Sequence, residues 1–227
     1  MSNLKSPSSN WPHRFIGYIK ATHFGPTLLV CAAAFFLAFS QFTLGNSLEI
    51  TLAIFCGQCT VGWSNELIDQ ESDRLANRMN KPLVAMIIHA TTLRNLTFLS
   101  LGLALLLSLV GPLGLIGSAF HILGIGSAMA YNFGIKRTAF SFLPYLISFG
   151  AMPWAIYKGN GKSPPLWLYS AFALFTIAFH FLNVIKDMDN DREQAIFGLP
   201  QRLGTKKSAI IAGALFLCGA IDVVLFR

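Results

Sequence analysis

Two nine-residue stretches hold most of the side chains in this sequence that could do chemistry. NELIDQESD (residues 65–73) and NVIKDMDND (183–191) share the pattern N-x-x-x-D-x-x-x-D, and an arginine follows each at once. Together with Glu193 they contain eight of the ten acidic residues in the 227-residue chain. If a helix runs through each stretch, residues four apart share a face, which aligns Asn65, Asp69 and Asp73 and likewise Asn183, Asp187 and Asp191. Like charges about 6 Å apart repel by roughly 3 kcal/mol at an effective dielectric near 20, and a divalent cation reverses that cost. Carboxylate and amide oxygens favour Mg2+ over zinc, and Mg2+ on few carboxylates keeps positions for substrate phosphates. Two such clusters facing each other would hold a diphosphate between them.

The neighbouring cations fit a phosphorylated ligand. Arg74, Arg78 and Lys81 follow the first motif, while Lys186, Arg192 and Arg202 surround the second. Guanidinium and ammonium groups bind the non-bridging oxygens that metals leave free. The plainer reading is that these are loop charges that set topology or form surface ion pairs.

The elements that must position these residues are membrane helices. With 54% hydrophobic residues, twenty phenylalanines and only 12% charged residues, the composition excludes an ordinary soluble domain. Apolar blocks near 22–44, 49–66, 93–110, 113–131, 139–157, 165–185 and 208–226 are each about long enough to cross a bilayer as a helix. Turn signals such as LGNS, GPLG and KGNGKSPP separate them. The expected fold is all-α: a polytopic transmembrane bundle of about seven helices, residues 22–227, after a cytoplasmic N-terminal tail, residues 1–21. The first block ends near Ala38 and Ser40, a small-residue pattern suited to signal cleavage, but its length reads as a membrane helix.

A net charge of +7 does not imply a nucleic-acid partner, because the basic residues lie in short loops between apolar blocks. Alternating the loops from an inside N-terminus puts fourteen of the seventeen basic residues on the cytoplasmic side, leaving Lys158, Lys162 and Arg227 opposite. Both acidic motifs then end helices that run in the same direction, a parallel internal repeat with both motifs cytoplasmic. Eight acids at mid-membrane would cost on the order of 20 kcal/mol, so they belong at the membrane edge or around a wet cavity. Cys56 and Cys59 form a C-x-x-C without ionisable neighbours and read as small helix-packing residues. The histidines have no zinc spacing, and His89 and His121 read as interfacial or packing residues.

NELIDQESDRLANRMNKPL resembles the first aspartate-rich motif of UbiA-type intramembrane prenyltransferases, and NVIKDMDNDREQAIFGLPQRLG resembles their second. YNFGIKR, residues 131–137, is similar to the family's Tyr-plus-basic loop motif, and the likeness runs from about 20 to 225 in the family's order. The resemblance implies helices around a central cavity, Mg2+-dependent ionisation of a polyprenyl diphosphate, and prenyl transfer to an acceptor, often aromatic, within membrane lipid. By position it implies that Asn65, Asp69, Asp73, Asp187 and Asp191 bind diphosphate through Mg2+, with Asn183 beside them. It further implies that Arg74, Arg78, Lys81, Lys136 and Arg192 bind the diphosphate, near Tyr131. The chain departs from the family pattern at Glu66, where Asp is common, at Lys81 for Arg and at Ala195 for Gly. It also has seven apolar blocks where the family generally has nine helices.

Three other functions fit parts of the pattern. A cyclase of the same superfamily would let the cation react within its own chain. A cation transporter would place acids in broken helices near mid-membrane. A non-enzymatic membrane subunit would retain only the fold.

Overall fold

The computed structural model describes residues 10–227. Helices α1 (Trp11–Ala21), α2 (Phe24–Phe39), α3 (Leu44–Leu75), α4 (Ala90–Val110) and α5 (Gly114–Phe133) are followed by a single 3-10 turn at Ile135–Arg137. The chain continues as α6 (Leu143–Gly159), α7 (Leu166–Glu193), the short α8 (Leu199–Leu203) and α9 (Thr205–Phe226). Among the described residues there is no strand, and the molecule is an all-α bundle. Seven helices are sixteen residues or longer, one for each apolar block.

Four helices, α4, α5, α7 and α9, are long and apolar enough to cross a membrane, and a bent pair of α1 and α2 makes a fifth. The other two long helices fall short for identifiable reasons. α3 is diluted by Asn46, Glu49 and Gln58 and then runs on through the acids, while α6 has only 17 residues. Both line the cavity described below, where Gln58 faces the interior and not lipid.

Local sequence sets the helix ends. The Thr43 hydroxyl accepts from the Asn46 N–H to start α3, and Pro144 and Pro200 occupy the first turns of α6 and α8, where a missing N–H costs nothing. Part of the segment expected as a tail is helical: α1 meets α2 at 63°. The break falls at Thr22 and His23, and His23 takes a left-handed conformation (φ 56°).

Small residues bring the helices close, as they do where helices pack in lipid. A Cβ on Gly62 would lie 2.7 Å from the Thr22 carbonyl oxygen, and one on Gly117 would lie 2.5 Å from the Ala155 carbonyl oxygen. At the end away from the acids, Val30, Ala34, Ile50, Ile54, Leu113 and Ile156 form one core cluster. There the Asn160 amide donates to the Gln41 carbonyl at 2.9 Å, tying two loops of that end together.

Candidate active site

Both acidic stretches are helical throughout, so each N-x-x-x-D-x-x-x-D pattern does form one face. The two faces meet. Arg78 donates to Asp73 at 3.0 Å and lies 3.6 Å from Asp187, and the Gln194 amide donates to Asp73 at 3.3 Å. Because each motif ends its helix and both ends stand at one cavity mouth, linked by Arg78, α3 and α7 run in the same direction.

Above the core cluster lies a cavity of about 610 Å3 walled by α2, α3, α5, α6 and α7. Its mouth is charged, with Asn65, Asp69, Arg78, Lys81, Lys136, Asn183, Asp187 and Asp191 among the lining residues. Its depth is lined mostly by apolar side chains, among them Val30, Ile54, Phe120, Phe149 and Met152. Tyr131 and Tyr145 line the wall between them, their rings packed edge to face at 5.2 Å.

The cations and carboxylates of the mouth are paired. Lys136 donates to the two oxygens of Asp69 at 2.5 and 2.6 Å and to Asn65 Oδ1 at 3.4 Å, with its side chain only 7% exposed. Lys81 joins Glu66 at 3.2 Å and approaches Asp73 to 3.7 Å. Glu66 also accepts from the Leu83 N–H at 3.3 Å, which folds the α3–α4 connection back over the end of α3. Asp73 is buried and does not line the cavity; its place is behind the mouth, joining Arg78, Lys81 and Gln194.

Asp191 differs from the other mouth carboxylates. It accepts from the Gln201 amide at 2.7 Å, and among the described residues it has no ion-pair partner. Burial raises its carboxyl above the usual range; the Gln201 hydrogen bond opposes that shift, and Asp187 adds to it. Gln201 is in turn placed by the short α8, beside Gly198, where a Cβ would come within 2.7 Å of its side-chain oxygen.

Besides Asp73, two of the cations expected as ligands are not brought to the cavity. Arg74 is 68% exposed and pairs with Glu71, and Arg192 is exposed, so neither lines the cavity. Each directly follows an aspartate, and one helical step turns it about 100° off the acid face. Lys186 and Arg202 are likewise exposed, away from the cavity, with Arg202 donating to the Phe197 carbonyl.

Other site residues went unremarked in the sequence. Lys20 and His23 reach the mouth from the α1–α2 break, and His23 Nε2 lies 3.4 Å from Asn65 Nδ2. Tyr145, Gln194 and Gln201 also belong here. The glutamines follow the second motif, but only the fold of α8 shows what they touch.

The UbiA prenyltransferase family profile matches residues 27–226. This chain belongs to that family. It is an integral membrane protein on the strength of that membership and its apolar helices. A digeranylgeranylglyceryl phosphate synthase from Sulfolobus acidocaldarius is 26% identical over 155 residues, 65% of this chain and 54% of that protein. The chain therefore spans about half the length of that curated relative. Among solved structures, a UbiA homologue from Archaeoglobus fulgidus bound to GPP and Mg2+ superposes with a TM-score of 0.74 at 15% identity, covering 91% of this chain and 76% of that one. A UbiA homologue from Archaeoglobus fulgidus bound to DMAPP and Mg2+ gives a TM-score of 0.65 at 16% identity, covering 90% of this chain and 75% of that one. These likenesses establish the family's fold for this chain.

Proposed function

We propose that the chain is a Mg2+-dependent prenyltransferase that ionises a polyprenyl diphosphate at the cavity mouth and passes the prenyl group to an acceptor inside the membrane. The observation that carries this reading is the meeting of the two aspartate motifs, bridged by Arg78, over a cavity that is charged at its mouth and mostly apolar in its depth.

The donor set fits the metal. Asn65, Asp69, Asn183, Asp187 and Asp191 offer only hard oxygen ligands around one mouth, and Asp191 is a partly buried carboxylate without a cation. An ion held by so few protein carboxylates would take part of its coordination from substrate phosphate. When bound, Mg2+ would neutralise charge developing on the departing diphosphate. Asp73 is buried in its ion pairs, so its part in this reading is to hold Arg78 and Lys81 in place.

The protein's own contribution is an exchange of ion-pair partners. Arg78, Lys81 and Lys136 are held against carboxylates and become donors to diphosphate oxygens once the ligand enters. The carboxylates they leave are then available at the mouth. Tyr131 and Tyr145 wall the reacting end, and Val30, Phe149 and Met152 take the isoprenoid tail, excluding water from the allylic cation. The acceptor captures the cation and loses a proton. By the distribution of basic loops, the mouth faces the cytoplasm. The name of the Sulfolobus relative makes a geranylgeranyl donor the first to try.

Calorimetry on the purified chain tests the site. Mg2+ is expected to bind weakly alone and at least tenfold more tightly with geranylgeranyl diphosphate, and Asp69→Asn or Asp187→Asn should remove that synergy. Mg2+ binding that ignores the diphosphate would contradict the reading and favour a transport or structural site.

A further inference from the structure

Below the charged mouth, Gln58 and His121 line the cavity among mostly apolar side chains, and unlike the hydroxyls of Thr27 and Ser148, which donate to backbone carbonyls, they offer polar groups to its interior. Gln58 of α3 lies about 10 Å of helix rise below Asn65. His121 of α5 lies at the same level, because a Cβ on the adjacent Gly57 would come 3.1 Å from His121 Nε2. The sequence reading of His121 as an interfacial or packing residue accounts only for the other side of its ring.

On that side the Ser108 hydroxyl lies 2.6 Å from the Ala104 carbonyl oxygen and 2.7 Å from His121 Nδ1. With the hydroxyl donating to the carbonyl, the ring donates to it through Nδ1–H. Nε2 is then left as a bare acceptor beside Gly57, a residue with no side chain to cover it. Among the described residues neither Nε2 nor the Gln58 amide has a hydrogen-bond partner. Polar groups at membrane depth are costly when unmet and mark functional sites when they face a cavity.

The cavity is two-sided at this level. α3 and α5 carry Gln58 and His121, while α2 and α6 carry Val30, Phe149 and Met152 together with Thr27 and Ser148, whose hydroxyls donate to the Thr22 and Gly124 carbonyls. We infer that Gln58 and His121 form a binding site for a neutral, hydroxyl-bearing ligand, a phenol or an alcohol, beside the isoprenoid tail. The ligand's O–H donates to Nε2, and the Gln58 amide donates to the same oxygen. A ketone or ether lacks the donor that Nε2 requires. A carboxylate would find no cation at this depth, since Lys20, Arg78, Lys81 and Lys136 all stand at the mouth. On the prenyl-transfer reading, on which this role rests, the ligand is the acceptor. Spanning about 10 Å from this anchor to the reacting carbon calls for roughly two fused rings or a chain of similar length.

Binding of 1-naphthol and naphthalene to the full chain in detergent tests the site, with ligand-observed NMR as the readout. Wild type should prefer 1-naphthol by about tenfold, and both Gln58→Met and His121→Phe should cut that ratio to threefold or less. Each variant should keep its Mg2+-dependent binding of geranylgeranyl diphosphate, which verifies the fold by a measurement outside the hydroxyl site. No preference in wild type, or a ratio unchanged by both substitutions, overturns the proposal. A preference that depends on Gln58 and His121 in a chain that binds no prenyl diphosphate upholds the hydroxyl site and refutes the prenyl-transfer reading instead.

Discussion

At the scale of residues, the charges of the mouth divide into those that face the cavity and those that only neighbour it in sequence. Lys136 and Arg78 hold Asp69 and Asp187 from inside the site, whereas Arg74 and Arg192 point away from it. Arg78→Ala and Lys136→Met should therefore lower turnover by about 100-fold or more, the usual loss when one interaction with developing transition-state charge is removed. Arg74→Ala and Arg192→Ala should keep turnover within about twofold of wild type, and steady-state kinetics on the four variants would check both halves. Equal losses in all four would place the diphosphate outside the mouth. The acids were legible in the sequence because helical periodicity alone aligns them. The same periodicity, applied one residue further, would have removed Arg74 and Arg192. The Glu66–Lys81 pair was not legible, since it depends on the path of a connection that folds back over α3.

At the scale of elements, α3 and α7 matter because each continues as a helix past its apolar block and carries a motif beyond the hydrocarbon. Their existence followed from the pattern of apolar blocks, and their extent followed from the motif spacing. The α1–α2 break and the short α8 did not follow. One depends on a non-glycine residue, His23, in a left-handed conformation, and the other on five residues that take their meaning from contact with Asp191. The break is held where Gly62 meets the Thr22 backbone, and it brings Lys20 and His23 to the mouth. Gly62→Val should destabilise the bundle by about 1–3 kcal/mol through overpacking, measured as a lower melting temperature. It should also weaken diphosphate binding more than Gly126→Val, since a Cβ on Gly126 meets nothing within 4 Å. Equal effects of the two substitutions would mean that the close crossing does not position the mouth.

At the scale of the whole molecule, both motifs end their helices at one cavity mouth, where Arg78 links them, so α3 and α7 are parallel, and the distribution of basic residues assigns the side they face. Single cysteines at 76 and 195, in a background without native cysteines, should label from the same side of sealed vesicles, and one at 160 from the other. Opposite labelling at 76 and 195 would break the repeat. The parallel repeat was legible because the motifs end the second and sixth apolar blocks, an even offset of four. The cavity's volume and its two-sided depth were not, since they depend on where glycines let helices approach. The central claim is that this mouth ionises a prenyl diphosphate, and the direct measurement is pyrophosphate release from geranylgeranyl diphosphate by the purified chain in lipid with Mg2+. Release should require Mg2+ and fall at least 100-fold in Asp69→Asn, Asp187→Asn and Asp191→Ala, with Cys56→Ser nearly unchanged. Release that persists without Mg2+, or that is the same in the aspartate variants as in wild type, would contradict it.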